Sequence, residues 1–208
     1  SYRIRTPLDT IIGMTRLAED LDVNDEVRDY LHKIDTSSDY LLGVLDDMLD
    51  MDRLENGRFE IRPQWAPITS VILNPCIGMM LPEMQKKGVE FVYPTGHKAD
   101  SFEYYIDVTR VRQMMMNLLS NALDSTPEGG TVTLRIEHVR HNAGHTVDKV
   151  IVRDTGCGMS EGFQKRVFLP FEQESGLDDE GGFGGGFGLA LVKQVITAMG
   201  GSVTVKSD

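Results

Sequence analysis

Apolar residues recur every three or four positions through the first 55 residues, which is the period of an amphipathic helix. This pattern predicts one helix over residues 1–21 and a second from Asp25 to Glu55, joined by a short polar turn in which Asn24 is placed to cap the second helix. Asn56-Gly57 predicts the end of the second helix. The two stripes consist of Leu8, Ile11, Ile12, Thr15 and Ala18 in the first helix, and Leu31, Ile34, Ser38, Leu41, Leu45 and Met48 in the second.

Two helices with a short connection form an antiparallel hairpin, and one hairpin cannot bury both stripes. We therefore expect two copies of residues 1–57 to pair into a four-helix bundle, which makes the protein a homodimer. The alternative is a hairpin that packs on the C-terminal domain of its own chain.

From Phe59 onward, short runs of β-branched residues alternate with amphipathic segments, which indicates a mixed α/β domain. This predicts an α+β protein, with a hairpin domain over 1–57 and an α/β sandwich over 58–208. The polar segment that contains His138, His141 and His145 is expected to be a solvated hairpin loop, because its spacing fits no standard metal site. The predicted strands cover 59–61, 89–93, 103–106, 131–137, 150–154 and 202–206, and the predicted helices cover 68–87, 108–124, a short segment from Ser160, and 189–199.

The composition limits the classes of function that this chain can have. The net charge of -11 disfavours nucleic-acid binding, which needs clustered Lys and Arg. An acidic protein that handles a polyphosphate would need a metal ion to offset charge. The two cysteines form no ligand pattern, and neither a membrane span nor a signal peptide is visible. The chain opens inside a helical pattern and stops in a predicted strand, so we expect it to be a piece of a longer protein.

Three short patterns carry candidate chemistry. Asp154 ends a predicted buried strand and is followed by Gly156 and Gly158, where a flat ligand could approach the backbone. The Asp154 carboxylate could accept a hydrogen bond from an exocyclic amine of that ligand. Asn117 and Asn121 lie four residues apart, on one face of the 108–124 helix, where an amide oxygen could bind Mg²⁺. The glycine-rich segment 184–188 leads into the last helix, whose N-terminus favours an anion. Each pattern alone also fits a plain turn, two solvated amides or a flexible linker.

In this order, the patterns resemble the ATP-binding domain shared by histidine kinases, gyrase, Hsp90 and MutL proteins. The matching segments are 117–122, 154–159, 168–173 and 184–190, which resemble the asparagine box, first glycine box, phenylalanine box and second glycine box. The resemblance implies that Asp154 holds the adenine amine, Asn121 holds Mg²⁺ and Asn117 lines the phosphate site. The other ATP-binding residues that it implies are Gly156, Gly158, Phe168, Phe171, Gly184, Gly186, Gly188 and Leu189.

Asn117 stands where the ATP-hydrolysing relatives carry a glutamate, and an amide cannot act as a general base at neutral pH. This favours phosphotransfer over hydrolysis. Asp124 stands where many kinases place a lysine, and we expect this to weaken nucleotide affinity.

Residues 1–8 resemble the phosphoacceptor motif of two-component histidine kinases, S-H-[DE]-x-R-T-P, and Thr6 matches that motif. Tyr2 replaces the acceptor histidine and Arg3 replaces its acidic neighbour. Because the pKa of a phenol is near 10, only about one tyrosine side chain in a thousand is ionised at pH 7, whereas an imidazole has a pKa of about 6.5. Arg3 can favour the phenolate but cannot accept its proton.

We therefore expect ATP–Mg²⁺ binding without ordinary histidine autophosphorylation, and weak phosphatase activity. The alternatives are phosphorylation of Tyr2, phosphorylation of a partner hairpin in trans within a mixed dimer with another histidine kinase, and plain ATP hydrolysis, which Asn117 disfavours. The resemblance further implies a response regulator receiver domain as partner. It implies a cytoplasmic location, as the intracellular part of a larger and membrane-bound sensor.

Overall fold

The computed structural model describes residues 2–56, 59–93, 103–142, 145–170, 172 and 187–207. They form two compact units, Ser1–Phe59 and Glu60–Asp208. No helix in the described ranges is long and apolar enough to cross a bilayer.

The first unit is a helical hairpin of α1 (Tyr2–Glu19) and α2 (Asp25–Glu55). The Asn24 side chain accepts the Val27 N–H at 2.8 Å, so the predicted cap is present. Leu8, Ile12 and Thr15 of α1 are buried, as is Ser38 of α2. Ion pairs between Arg5 and Asp46 (2.9 Å) and between Arg16 and Asp35 (3.1 Å) link the two helices on their exposed sides. The predicted antiparallel hairpin is confirmed.

The second unit begins with strand β1 (Gln64–Pro67), which pairs antiparallel with β3 (Glu103–Ile106). The prediction of a strand over 59–61 is therefore wrong. Pro67 is the last residue of β1, and a proline is tolerated at the end of an edge strand because no ladder hydrogen bond needs its nitrogen.

A π-helical segment (Thr69–Leu73) runs directly into α3 (Asn74–Lys87), where Pro75 occupies the first turn and Pro82 lies inside. Gly88 ends the helix with a φ of +71°, a conformation that favours glycine.

A second sheet has the strand order β2 (Glu90–Val92), β4 (Thr131–Asn142) and β5 (His145–Asp154), with β2 parallel and β5 antiparallel to β4. His138, His141 and His145 lie within β4 and β5, so the predicted loop is wrong. The two strands continue to pair with each other through this polar stretch, because backbone pairing in a hairpin does not require a buried face.

Helix α4 (Val108–Ser125) starts at Asp107, whose carboxylate accepts the backbone N–H groups of Arg110 (3.1 Å) and Arg62 (2.9 Å). Helix α4 packs on β4, β5 and α6 (Gly188–Ala198), and α3 packs on α4 and β2. The core of this unit comes from the facing sides of these elements: Cys76, Met80, Met84, Val111, Met115, Leu119, Ala122, Val132, Leu134, Leu191 and Val195.

The short helix α5 (Glu161–Gln164) begins at the predicted Ser160, whose hydroxyl accepts the Phe163 N–H at 3.2 Å. Residues 201–207 form no strand, so the prediction over 202–206 is wrong. Val203 and Val205 alternate with exposed residues as in a strand, but this extended segment has no ladder partner in the described chain.

Candidate functional site

The loop after β5 is folded back on its own carboxylate. The Gly156 N–H donates to Asp154 Oδ1 at 2.9 Å, which closes a tight turn two residues long. Within the described part of the chain, Asp154 Oδ2 accepts no hydrogen bond, and the side chain is half-buried. One carboxylate oxygen is therefore held in place while the other is available to a ligand.

The same loop lies hard against the end of α4. A Cβ added to Gly156 would lie 2.4 Å from the carbonyl oxygen of Ser125, the last residue of that helix. Only glycine permits this approach. Gly158 follows with a φ of +71°, so both glycines have a conformational or steric reason to be there.

Helix α4 presents its two asparagines between this loop and the start of α6. Asn117 Nδ2 donates to the carbonyl oxygen of Gly188 at 3.4 Å. Asn121 lies one turn further along, half-buried, and its side-chain amide makes no hydrogen bond to the described residues. From Asn117 to Ser125 the helix rises about 12 Å, so its length connects the two glycine-containing segments.

A lysine from α3 lies at the end of α4. Lys87 Nζ donates to the carbonyl oxygens of Leu123 (2.7 Å) and Asp124 (3.0 Å), where the helix dipole favours a cation. Partial burial raises the pKa of the Asp124 carboxyl, and Lys87 opposes this shift. The sequence pattern does not reveal this contact of Lys87, because its partner Leu123 lies 36 residues further along the chain.

The start of α6 brings part of the second glycine box to the site. Gly188 is the first residue of α6, Phe187 is buried and Leu189 is half-buried. From the phenylalanine box, Phe168 is half-buried beneath Lys193, whose Nζ lies 5.7 Å from the ring centroid. Phe171, Gly184 and Gly186 lie outside the described residues.

The predicted acceptor region lies in the other unit. The backbones of Tyr2 and Arg3 form the first turn of α1, but their side chains lie outside what the structure describes. Thr6 is exposed on the same helix.

Magnesium prefers oxygen ligands, and the free amide oxygen of Asn121 is of that type. Among the described residues, no group of three or more His, Cys, Asp or Glu could hold a metal ion. An ion at Asn121 would therefore depend on oxygens from a nucleotide and from water, which is how Mg²⁺ is usually held beside phosphates.

Two family matches account for most of the chain. Residues 1–57 match the His Kinase A (phospho-acceptor) domain, and residues 106–208 match the family described as histidine kinase-, DNA gyrase B- and HSP90-like ATPase.

The chain is 32% identical over 212 residues to the autoinducer 2 sensor kinase/phosphatase LuxQ of Vibrio vulnificus, which covers 100% of this chain and 24% of that protein. It is 30% identical over 209 residues to the signal transduction histidine-protein kinase BarA of Escherichia coli, covering 100% of this chain and 22% of the relative. The chain thus spans about a quarter of the length of these curated relatives.

Among solved structures, full-length ShkA in complex with AMPPNP superposes with a TM-score of 0.70 at 28% identity, over 99% of this chain and 42% of that one. The histidine kinase AdeS of Acinetobacter baumannii shares the fold, with a TM-score of 0.64 at 19% identity over 100% of this chain and 92% of that one. A hairpin of the phospho-acceptor type followed by an ATPase-type domain, matched over its whole length by sensor kinases, establishes that the chain belongs to the histidine kinase family of two-component systems.

Proposed function

We propose that the second unit binds ATP with Mg²⁺ between α4, the loop after β5 and the start of α6. The observation that carries this proposal is that α4 touches both of the other elements. Asn117 reaches Gly188 from the middle of α4, Ser125 packs on Gly156 at its C-terminal end, and Asn121 lies between them along the helix.

Each group has a role that suits its surroundings. Asp154 Oδ2 accepts a hydrogen bond from the exocyclic amine of adenine, while Oδ1 keeps its hydrogen bond from the Gly156 N–H. The Asn121 amide oxygen ligates Mg²⁺, which when bound offsets the negative charge of the phosphates. The first turn of α6 offers the phosphates backbone N–H groups that have no acceptor within the helix, together with the positive end of the helix dipole.

Asp154→Asn tests the nucleotide proposal. It keeps the shape of the side chain but removes its charge, and the hydrogen bonds of charged groups contribute about 1.5–3 kcal/mol. ATP affinity measured by calorimetry should fall about 10- to 150-fold. The control is Glu161→Gln, an equivalent charge removal on the exposed start of α5. Equal ATP affinity in the two variants would refute the role of Asp154.

We further propose that ordinary autophosphorylation on histidine is lost, because the acceptor position holds Tyr2 and the acidic position holds Arg3. A neutral phenol needs a base to become a nucleophile, and a guanidinium cannot be one. With Asn117 in place of a hydrolytic glutamate, bound ATP has neither its usual acceptor nor an activated water.

Transfer of label from γ-labelled ATP distinguishes the possible outcomes. The wild-type chain should bind nucleotide and gain no label, whereas Tyr2→His with Arg3→Asp should gain acid-labile label. Acid-stable label that disappears in Tyr2→Phe would instead establish tyrosine phosphorylation, and label only on an added histidine kinase hairpin would establish action in trans. If the double variant binds ATP but stays unlabelled, the acceptor site is not the only defect.

We propose that the first unit pairs with a second copy as a four-helix bundle. Val27, Ile34, Leu41 and Met48 of α2 recur every seven residues and are 39%, 45%, 49% and 53% exposed in the single chain. A seven-residue repeat of apolar side chains is the pattern by which helices pack into coiled-coil bundles. Two members of this stripe, Ile34 and Leu41, line an apolar groove together with Leu8 and Ile11 of α1 and with neighbouring α2 residues: Tyr30, Lys33, Ser37 and Ser38.

The family and the full-length relatives support two broader proposals. The chain is the kinase core of a larger sensor, since the matched sensor kinases are about four times its length. Its downstream partner is the receiver domain of a response regulator, which the hairpin contacts as a phosphoryl donor or as a regulatory surface.

A further inference from the structure

The residue after Asp154 makes an unusual sheet contact. In the β4–β5 ladder, Val132 pairs with Asp154, so the next pair in register is Thr131 with Thr155. The Thr155 N–H donates to the Thr131 carbonyl oxygen at 3.2 Å, as a regular antiparallel pair requires. The return hydrogen bond does not go to the Thr155 carbonyl. The Thr131 N–H donates at 2.9 Å to the side-chain oxygen, Thr155 Oγ1.

Because the Thr155 hydroxyl replaces a backbone carbonyl as acceptor, the backbone can leave the sheet while the Thr131 N–H stays hydrogen-bonded. An unpaired backbone N–H is costly to the extent that it is shielded from water, Thr131 is half-buried, and the regular acceptor would be the carbonyl of residue 155. Because the hydroxyl takes that place, the chain can turn away immediately after Asp154 and pass Gly156 against the end of α4.

The Thr155 hydroxyl lies close to the backbone of the segment that connects α4 with β4. A Cβ added to Gly130, which precedes β4, would lie 3.0 Å from Thr155 Oγ1 and 2.4 Å from Thr126 Cγ2. Thr126 is itself buried and donates through its hydroxyl to the Ala122 carbonyl oxygen at 2.6 Å. Thr155 is itself exposed, and its hydroxyl joins the loop carrying Asp154 to the segment that follows the helix carrying Asn121.

We infer that Thr155 is a positioning residue for adenine recognition, whose hydroxyl holds the Asp154 carboxylate where it meets the exocyclic amine of the base. This inference rests on the proposed ATP site. Thr155 acts through Asp154 and touches no part of the nucleotide itself.

Thr155→Val removes the hydroxyl and keeps the side-chain shape. Thr155→Ser keeps the hydroxyl, and Thr131→Val is the matched control, because it removes a neighbouring hydroxyl that donates to Glu90 (3.3 Å) and leaves the Thr131 backbone in place. Calorimetry on the whole chain compares ATP with purine riboside triphosphate, which is the same nucleotide without the exocyclic amine.

Thr155→Val should weaken ATP binding about tenfold and change binding of the purine analogue less than twofold, so that discrimination between the two nucleotides disappears. Thr155→Ser should restore wild-type discrimination, and Thr131→Val should leave it unchanged. An equal loss for both nucleotides in Thr155→Val would mean a general structural role and would overturn the inference, as would no loss for either.

Amide hydrogen exchange and the nucleotide preference of the wild-type chain separate a failure of this inference from a failure of the proposed function. Amide hydrogen exchange at Thr131 should accelerate in Thr155→Val, and unchanged exchange would refute the hydrogen bond itself. If the wild-type chain binds both nucleotides equally, Asp154 does not read the amine, and the proposed function and this inference fail together. If it discriminates but Thr155→Val does so equally well, only the inference fails.

Discussion

Replacing Gly156 with alanine probes the packing of the Asp154 loop on α4. The new Cβ would lie 2.4 Å from Ser125 O and 2.8 Å from Asp154 Oδ1, whereas ordinary contact begins at 3.4 Å. Relief needs a shift of about 1 Å, the difference between 3.4 and 2.4 Å. The obstacle is the backbone carbonyl of a packed helix and cannot rotate aside, so the loop must move and take the carboxylate with it.

The magnitude follows from the size of that clash. Forcing one carbon into a packed site costs about 1–3 kcal/mol. If this free energy is lost from the stability of the fold, the Tm falls by about 2–12 °C for a chain of this size. If it is lost from nucleotide binding instead, the Kd rises by a factor of about 5 to 150.

Thermal unfolding and calorimetric titration with ADP and Mg²⁺ measure the two effects. The matched control is Gly162→Ala, a substitution inside α5 where an added Cβ meets nothing within 4 Å, so stability and affinity should be unchanged or slightly improved. If Gly156→Ala matches Gly162→Ala in both Tm and Kd, the close approach of the loop to α4 is not a feature of the protein in solution.

Three further predictions concern other parts of the chain. Asp107→Ala removes a cap that accepts two backbone N–H groups and should cost about 1–2 kcal/mol in denaturant unfolding, with Asp107→Asn recovering part of it. Leu41→Glu should convert the dimer to a monomer in sedimentation, whereas Leu169→Glu, which is equally exposed (48% against 49%) in the other unit, should not; a dimer that survives Leu41→Glu contradicts the proposed seam. Cys157 should react rapidly with a maleimide in the folded chain, while Cys76 should react only on unfolding, because it is buried and burial raises the pKa of its thiol; modification of both at equal rates would be inconsistent with this packing.

The helices were the most predictable part of the fold. The starts of α2 and α4 follow from Asn24 and Asp107, each of which accepts the backbone N–H three residues further along the chain. Such signals are local and survive any tertiary arrangement. The strands were less predictable. The polar histidine stretch extends β4 and β5, while the apolar alternation after Gly201 forms no strand, because strand formation depends on a distant partner.

The candidate site divides in the same way. Asp154, Asn117 and Asn121 could be selected from residue type and spacing, since carboxylates, amides and glycines limit the chemistry that a segment can perform. The roles of Lys87 and Thr155 could not, because each depends on a backbone group that lies 24 to 37 residues away in the chain.

The amino-acid sequence by itself determined the helical hairpin, the presence of an α/β domain and the chemical types at its candidate site, since helix period, caps and residue chemistry are local properties. Only the tertiary structure decided that β2 runs parallel to β4, that Gly156 meets the end of α4, and that a threonine hydroxyl replaces a backbone acceptor beside Asp154. These features are contacts between segments distant in the chain, and they form only where the packing of the whole domain brings those segments together.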